Sequence, residues 1–127
     1  MSSPSIAEAV VQRQLEAYNA CDVEALLQIY TEDAELYGHP STLLAKGSAA
    51  LRERFTTRFL EPNLNAKLLN RIVMGNTVID HELIARNFPE GSGTLEMVMI
   101  YEVNTAGRIA RAWAMSGEKR LDSPAAA

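Results

Sequence analysis

Hydrophobic and polar positions alternate along the second half of the chain in a pattern that predicts a long β-hairpin. Residues 95–103 and 108–115 form two β-prone runs, separated by a short turn that contains a glycine. Side chains of a strand point alternately to opposite faces, and here both faces carry apolar residues. A sheet of this kind needs a cover on each face. We expect helices and a cavity on one side, and a second sheet from a partner subunit on the other.

A helical period governs most of the first half of the chain. Residues 5–20 place apolar side chains along one arc of a helix, namely Ile6, Val10, Val11, Leu15 and Tyr18. Two shorter helices are predicted at about residues 23–31 and 47–60, with a short strand, residues 34–37, between them. Residues 41–46 are interpreted as a loop.

After the third predicted helix the period changes to two. Strands are predicted at residues 66–74 and 77–88, joined by a tight turn that begins with glycine. Helices followed by strands indicate an α+β fold, in which three helices pack on one face of a curved, mostly antiparallel sheet. Residues 1–127 are expected to form this one domain, with a frayed tail at 122–127.

Composition narrows the class of protein without indicating a reaction. The 127 residues have 47% hydrophobic content and a net charge of −4. These values suit one globular domain, and the lack of a basic block disfavours nucleic-acid binding. The single cysteine, Cys21, excludes an intrachain disulfide, and no apolar run reaches membrane length. We expect a cytoplasmic protein that binds neither membrane nor nucleic acid. The two histidines lie far apart and no nucleotide-binding motif is present, so no metal and no cofactor is expected.

Several short motifs stand in order along nearly the whole chain. They are Val10–Arg13, Tyr18–Ala20 followed by Asp22, Glu32–Ala34, Gly47 with Ala49–Arg52, and Gly117–Lys119. In order and spacing they resemble the nuclear-transport-factor-2-like (NTF2-like) superfamily, in its SnoaL-like and ketosteroid-isomerase-like branch. The resemblance implies a cone-shaped α+β domain that encloses a deep apolar pocket and commonly dimerises through the outer face of its sheet. Members include isomerases, cyclases, dehydratases, epoxide hydrolases and non-catalytic binders, so the fold does not fix the function.

The resemblance does not supply the catalytic set of bacterial ketosteroid isomerases. Those enzymes use an aspartate base, with a tyrosine and a protonated aspartic acid as hydrogen-bond donors. Alignment without gaps places Gln14 at the tyrosine, Gly38 at the base and Met99 at the aspartic acid. Gly38 cannot accept a proton and Met99 cannot donate one. Steroid isomerisation by that mechanism is therefore not expected.

His39 is one candidate for acid–base catalysis, because it follows the missing base at the expected mouth of the pocket. A histidine titrates near neutral pH and suits a general base. The alternative interpretation is a loop histidine, half exposed and bonded to the backbone.

Asp80 and Glu82 are the other catalytic candidates, since charged residues are unusual inside a strand. The family alignment turns both carboxylates inward, about 7 Å apart by the strand rise. At that distance they can share a proton and raise one pKa. Arg86 lies on the same predicted face, which resembles the carboxylate-rich site of epoxide hydrolases in the superfamily. Two alternatives stay open: solvated charges on an exposed edge, or a register shifted by one that turns His81 inward.

The remaining pocket wall is expected to combine polar-tipped and apolar side chains. Gln14 falls in the apolar arc of the first helix, where a buried polar group needs a partner or a ligand. The candidate ligand-binding residues are Gln14, Tyr18, Tyr37, Phe55, Met97, Met99 and Tyr101. Core packing explains the tyrosines and methionines equally well. Arg54 and Arg58 are interpreted as solvated, or as a gate for an anionic ligand.

The outward face of the hairpin is expected to form a homodimer interface. Its residues are Val98, Ile100, Arg111, Trp113 and Met115. Apolar patches of this kind usually mark interfaces. In the alternative interpretation, the tail of the chain covers Trp113.

Three functions fit the sequence. The first is a cofactor-independent isomerase, cyclase, dehydratase or hydrolase acting on a small apolar or polycyclic molecule. In it, His39 or the Asp80/Glu82 pair would transfer protons, while Gln14 and Tyr101 orient the substrate. The second is a non-catalytic binder of a hydrophobic ligand, and the third is a dimeric interaction module with a vestigial cavity. A buried, inward carboxylate with a shifted pKa favours the first, whereas an apolar lining favours the second and a filled cavity the third.

Overall fold

A computed structural model describes residues 5–122 of the chain, which form three helices and six strands. The helices are α1 (Ile6–Asn19), α2 (Val23–Ile29) and α3 (Ser48–Arg58). The strands are β1 (Tyr30–Gly38), β2 (Thr42–Lys46), β3 (Asn65–Met74), β4 (Thr77–Phe88), β5 (Gly91–Val103) and β6 (Ile109–Leu121).

The six strands form one sheet in the order β2-β1-β6-β5-β4-β3. Strand β1 runs parallel to β6, and all other neighbours are antiparallel. The helices pack against one face, and the main hydrophobic core lies between them and the sheet. The predicted α+β class, with three helices on a mostly antiparallel sheet, is confirmed.

Local sequence signals explain where the first two helices begin. The Ser5 hydroxyl accepts the backbone N–H of Glu8 at 3.0 Å, and the Asp22 carboxylate accepts that of Ala25 at 3.0 Å. Both are N-cap hydrogen bonds, which satisfy donors that the first turn of a helix leaves unpaired. At the end of α1, Asn19 exchanges two hydrogen bonds with the backbone of Ala66, at 2.7 and 2.9 Å. These contacts fix the apolar arc of α1 over the sheet.

A tight turn sets the register between β3 and β4. Gly75 adopts φ +62°, a left-handed conformation that glycine tolerates without steric cost. The turn pairs Met74 with Thr77, and antiparallel pairing then brings Arg71 opposite Asp80. The side chains of β4 alternate in burial from Val78 to Ile84, with the even-numbered residues buried under the helices. This alternation places Asp80 and Glu82 inside.

Four strands differ from the prediction, and the first is β1, which begins at Tyr30 rather than at residue 34. Residues 42–46, interpreted as a loop, are strand β2, because the turn at His39-Pro40 folds the chain back onto β1. Strand β5 begins at Gly91 rather than Leu95, and β6 continues to Leu121, so the hairpin is longer at its open end. These extensions follow from pairing with neighbouring strands, which the local pattern of one strand does not reveal.

The expected frayed tail lies mostly outside the described residues. Within them, Asp122 donates its backbone N–H to the carbonyl oxygen of Ser92 at 3.0 Å, so this first residue of the predicted tail is anchored. None of the helices in residues 5–122 is long and apolar enough to cross a membrane.

Candidate functional site

A small cavity lies between the helices and the inner face of the sheet, with a volume of about 80 Å³. Helices α1 and α3 form its roof, and strands β4, β5 and β6 form its floor. Its lining is Gln14, Leu15, Tyr18, Tyr30, Leu36, Arg54, Phe55, Arg58, Ala66, Glu82, Ile84, Met97, Met99, Tyr101 and Ala114. Most of this surface is apolar, and polar groups enter it from a few side chains.

Glu82 is the carboxylate of this cavity. Its side chain lines the cavity wall and the residue is only 3% exposed. No side chain or backbone group among residues 5–122 donates a hydrogen bond to the carboxylate. Burial is the main reason that the pKa of Glu82 rises from 4.5 to about 7, and the negative charge of Asp80 adds to the rise, whereas Arg71 opposes it. Glu82 therefore exchanges its proton near neutral pH.

Asp80 occupies a different environment on the same face of β4. It is fully buried and forms two hydrogen bonds with the Arg71 guanidinium, at 2.7 Å from Nε and 2.9 Å from Nη2. Arg71 also donates to the side-chain oxygen of Gln12 at 2.9 Å. A carboxylate whose two oxygens both accept from one guanidinium has no oxygen left free for a ligand. Asp80 is therefore a fixed charge beside Glu82 and does not line the cavity.

Three side chains of the cavity wall, Gln14, Tyr30 and Tyr101, form a hydrogen-bonded group. The Tyr101 hydroxyl donates to the side-chain oxygen of Gln14 at 3.1 Å, and both residues are buried. Burial raises the pKa of Tyr101 well above its usual range, so the hydroxyl keeps its proton. Burial likewise raises the pKa of Tyr30, and a hydrogen bond with Gln14 partly offsets this rise. Gln14 thus links two phenols across the cavity.

The structure brings seven of the ten candidate site residues together. Those in the cavity wall are Gln14, Tyr18, Phe55, Glu82, Met97, Met99 and Tyr101. His39, Asp80 and Tyr37 lie elsewhere, and His81 points to the opposite face of β4 from Glu82.

His39 and Tyr37 lie outside the cavity wall because of the course of strand β1. Strand β1 continues to Gly38, so His39 is carried beyond the cavity into an exposed turn, where its backbone N–H donates to the Ala114 carbonyl at 2.8 Å. Leu36 points inward, and strand alternation turns Tyr37 outward. There the Tyr37 ring stacks on Trp113 with centroids 5.8 Å apart.

Arg86 is also outside the cavity, contrary to the comparison with epoxide hydrolases. It binds the carboxylate of Glu61 through Nε at 2.8 Å and Nη2 at 2.9 Å. The guanidinium beside the carboxylates comes from Arg71 instead. The two-residue turn before β4 was a usable signal for Arg71, because it fixes which residue of β3 faces Asp80.

Sequence reasoning missed Tyr30 and the position of two arginines. Tyr30 was assigned to the end of the second helix, but it begins β1 and its ring faces inward at 2% exposure. Arg54 and Arg58 lie one helical turn apart on α3 and both line the cavity. Their spacing of four residues predicts one shared helix face. It does not show that this face meets a cavity.

The sequence family agrees with this geometry. The model of the SnoaL-like domain matches residues 11–112, which include the cavity wall from Gln14 to Tyr101. The chain belongs to the SnoaL-like domain family. The family match leaves the specific function of this SnoaL-like protein open, because members with this fold differ in activity.

Solved structures show the same fold at low sequence identity. An uncharacterised cystatin-fold protein from Novosphingobium aromaticivorans is similar at 19% identity and a TM-score of 0.79, covering 88% of this chain and 98% of its own. A candidate SnoaL-like polyketide cyclase from Shewanella denitrificans is similar at 11% identity and a TM-score of 0.79, covering 90% and 92%. A candidate ketosteroid isomerase from Kribbella flavida is similar at 16% identity and a TM-score of 0.75, covering 94% and 83%.

Among residues 5–122, no three histidine, cysteine, aspartate or glutamate side chains are grouped so that they could hold a metal ion. The residues of this SnoaL-like site suit acid–base chemistry at Glu82, because its buried carboxylate lies within an apolar wall and its pKa is about 7.

Proposed function

We propose that this SnoaL-like protein binds a small, largely apolar molecule in the cavity and transfers a proton to or from it through Glu82. The observation that carries this proposal is the Glu82 carboxylate, which lines the cavity, accepts no hydrogen bond from residues 5–122 and has a pKa of about 7. A carboxylate that accepts no hydrogen bonds from the protein is a stronger base, and its oxygens are free to take a proton from a ligand. General acid–base catalysis is most effective when the pKa lies near the working pH.

The cavity limits the size of the ligand. Its volume of about 80 Å³ is well below the roughly 300–1,000 Å³ of sites for drug-sized molecules. One ring or a short branched chain fits this space better than the polycyclic substrate considered from the sequence. The unbranched side chains of Met97 and Met99 can change rotamer and enlarge the floor.

The expected reaction is proton abstraction next to a carbonyl, as in isomerases and cyclases. Glu82 would take the proton as a carboxylate and return it as a carboxylic acid at another carbon, so the enzyme ends in its starting state. The phenol of Tyr30 would donate a hydrogen bond to the carbonyl oxygen, while Gln14 holds Tyr30 and Tyr101 in place. No ketosteroid-isomerase aspartic acid is available at Met99, so charge on that oxygen would be less well stabilised.

The experiment measures hydrogen exchange of small ketones in D₂O by proton NMR. Cyclohexanone and 2-cyclohexenone are suitable probes, and exchange at carbons next to the carbonyl reports proton abstraction. The Glu82→Gln variant should lose at least about 100-fold in the catalysed rate, the lower end of what a positioned base contributes. Glu96→Gln is the matched control, because Glu96 lies on the opposite face and pairs with His81 at 2.7 Å.

The pH profile adds a second criterion. Exchange by the wild type should rise as Glu82 loses its proton and level off above its pKa of about 7. Equal rates in wild type and Glu82→Gln, or no catalysed exchange with any probe, would contradict the enzymatic proposal.

A non-catalytic binder is the second candidate, and one contact favours it. The Tyr101 hydroxyl donates its hydrogen bond to the side-chain oxygen of Gln14 at 3.1 Å and is not directed at a ligand. A site with fewer free donors for a developing oxyanion binds more readily than it catalyses. This function predicts that NMR shifts of cavity residues appear with ketone probes, while catalysed exchange does not.

We also propose that two chains associate through the outer face of the sheet. No helix in residues 5–122 covers this face, whose central rows include Ile79, Ile100 and Trp113. Arg111 lies 3.8 Å from both Glu35 and Glu102 at the border of the apolar area. A band with both signs of charge can face its own copy across a two-fold axis without net repulsion, which favours a second copy as the occupant.

A further inference from the structure

Two arginines form the boundary between the cavity and the protein surface. Arg54 and Arg58 line the cavity, and both also line a shallow external groove together with Leu44, Ala50, Glu53 and Thr57. A ligand that enters from this groove must therefore pass the two guanidinium groups. This position differs from that of an ordinary surface arginine, which faces water alone.

Arg54 carries a charge that no described residue neutralises. It is half-buried, and within residues 5–122 its guanidinium forms neither a hydrogen bond nor an ion pair. Burial lowers the pKa of Arg54, and the charges of Arg58 and Arg86 lower it further, so its surroundings are both poorly solvated and positive. Half-buried arginines usually find an anionic partner, because desolvation of an unpaired charge is costly.

The neighbouring arginine is only weakly neutralised. Arg58 lies 3.4 Å from the carboxylate of Glu61, and that carboxylate already accepts three hydrogen bonds from Arg86 and one from the backbone N–H of Asn87. One carboxylate thus faces two guanidinium groups, and Arg54 adds a third positive charge. Arg58 also lies beside the Tyr18 hydroxyl, where it opposes the rise in the pKa of Tyr18 that burial causes. The cavity mouth therefore has excess positive charge on a protein whose net charge is −4.

We propose that the ligand of this cavity is a small carboxylic acid, bound with its carboxylate at Arg54 and its apolar body against Met97 and Met99. The inference rests on the proposed function, since it specifies the ligand of the same cavity. The planar guanidinium of Arg54 matches a carboxylate with two parallel hydrogen bonds, and Arg58 adds attraction from one turn away. A single negative charge fits better than a phosphate dianion, because Glu53 in the groove and Glu82 in the cavity repel further charge.

The pose has a chemical consequence for Glu82. With the carboxylate fixed at the mouth, the carbon atoms of the ligand lie between the arginines and the floor of the cavity. Proton transfer would then occur on the apolar part of the ligand and not on its anionic group. This separates the group that is recognised from the group that reacts, and it predicts that binding survives when Glu82 is neutralised.

The test compares benzoate with benzamide, which has nearly the same shape and no charge. Dissociation constants are measured by NMR titration and calorimetry on wild type, Arg54→Gln and Arg52→Gln. Arg52 is the matched control, because it lies on the same helix but is exposed and pairs with Glu24. Circular dichroism establishes that each variant is folded, and Arg54→Lys serves as a second variant that keeps the charge without the planar fork.

The proposal predicts that benzoate binds wild type at least about tenfold more tightly than benzamide, since charge-assisted pairs in partly buried sites are worth about that much. Arg54→Gln should remove this preference, Arg54→Lys should keep part of it, and Arg52→Gln should leave it unchanged. Equal binding of the two probes to wild type would overturn the proposal, as would a preference that persists in Arg54→Gln.

The two possible failures are distinguishable. If benzamide shifts the signals of cavity residues and benzoate gains nothing over it, the anion site is wrong while the cavity still binds small molecules. If neither probe shifts them, and cyclohexanone does not either, the proposed function fails together with the anion site.

Discussion

Asp80 and Glu82 project from the same buried face of β4, yet only Asp80 is bound by a cation. Arg71 holds both oxygens of Asp80, at 2.7 and 2.9 Å, whereas Glu82 receives no hydrogen bond from residues 5–122 and faces the cavity. One carboxylate is thus fixed as a charge and the other is free to exchange a proton. The difference arises from the register of β3, because Arg71 is paired with Asp80 whereas Leu68 is paired with Glu82.

Removing the cation should destabilise the protein strongly. Arg71→Met leaves a fully buried Asp80 without its partner, and we expect a loss of about 3–5 kcal/mol in the free energy of unfolding. Urea denaturation measures this change. The double variant Arg71→Met/Asp80→Asn is the control, because it removes the orphaned charge and should recover a substantial part of the loss. Equal stability of the single variant and wild type would show that the pair contributes little.

The burial of Glu82 should make stability fall as the pH rises. Its pKa is 4.5 as an ordinary glutamate and about 7 in the folded protein, so the folded state binds the proton more tightly. The contribution of Glu82 to the free energy of unfolding is therefore greatest below pH 4.5. This contribution, roughly 3 kcal/mol in total, is lost as the pH rises through 7. Glu82→Gln lacks this dependence. The difference in unfolding free energy between wild type and Glu82→Gln, measured from pH 4.5 to 8, isolates the effect, and a constant difference would contradict the shift.

Gln14 is expected to contribute to stability through its phenol partners. Gln14→Leu leaves the buried Tyr101 hydroxyl without an acceptor, which should cost about 1–3 kcal/mol. In Gln14→Leu/Tyr101→Phe the hydroxyl is gone, and most of this cost should disappear. Thermal and urea unfolding of both variants measure the coupling. Identical losses in the single and double variants would show that the hydrogen bond is not the cause.

Much of the fold follows from the sequence because its signals are local. The apolar arc of α1 and the alternation in β4 each act within a few positions, and they predicted the first helix and the main strands. Strand β2 was missed because its residues become a strand only by pairing with β1. No pattern within five residues reveals such a partner.

The sequence also predicts part of the candidate site, namely which residues point inward, but it does not predict their chemical roles. Alternation and the family alignment place Glu82 and Gln14 on inward faces, and the cavity contains both. The roles of Asp80 and Tyr37 depend on neighbours from other strands, Arg71 and Trp113, and on where β1 ends. The chemical difference between Asp80 and Glu82 is a property of packing, since identical charged groups at i and i+2 look equivalent in a sequence.

The outer face of the sheet should hold two chains together. Wild-type protein at tens of micromolar is expected to have twice the 14.0 kDa chain mass in sedimentation or light-scattering experiments. Ile100→Glu places a charge in the centre of this face, between Ile79 and Trp113, and should give the mass of one chain. Leu60→Glu is the matched control, since Leu60 is 79% exposed and lies after α3, away from the sheet. A single-chain mass for wild type would contradict the proposed dimer.

The most direct test of the central claim is an NMR titration of the Glu82 carboxyl carbon in protein labelled with ¹³C at glutamate. The resonance is assigned by its absence in Glu82→Gln, and its shift is followed from pH 4 to 9 with and without benzoate. Burial beside Asp80 predicts a midpoint near 7, which should rise further when benzoate is bound because a second anion then lies in the same cavity. A midpoint near 4.5 that benzoate does not change would contradict the assignment of Glu82 as the proton-transferring group.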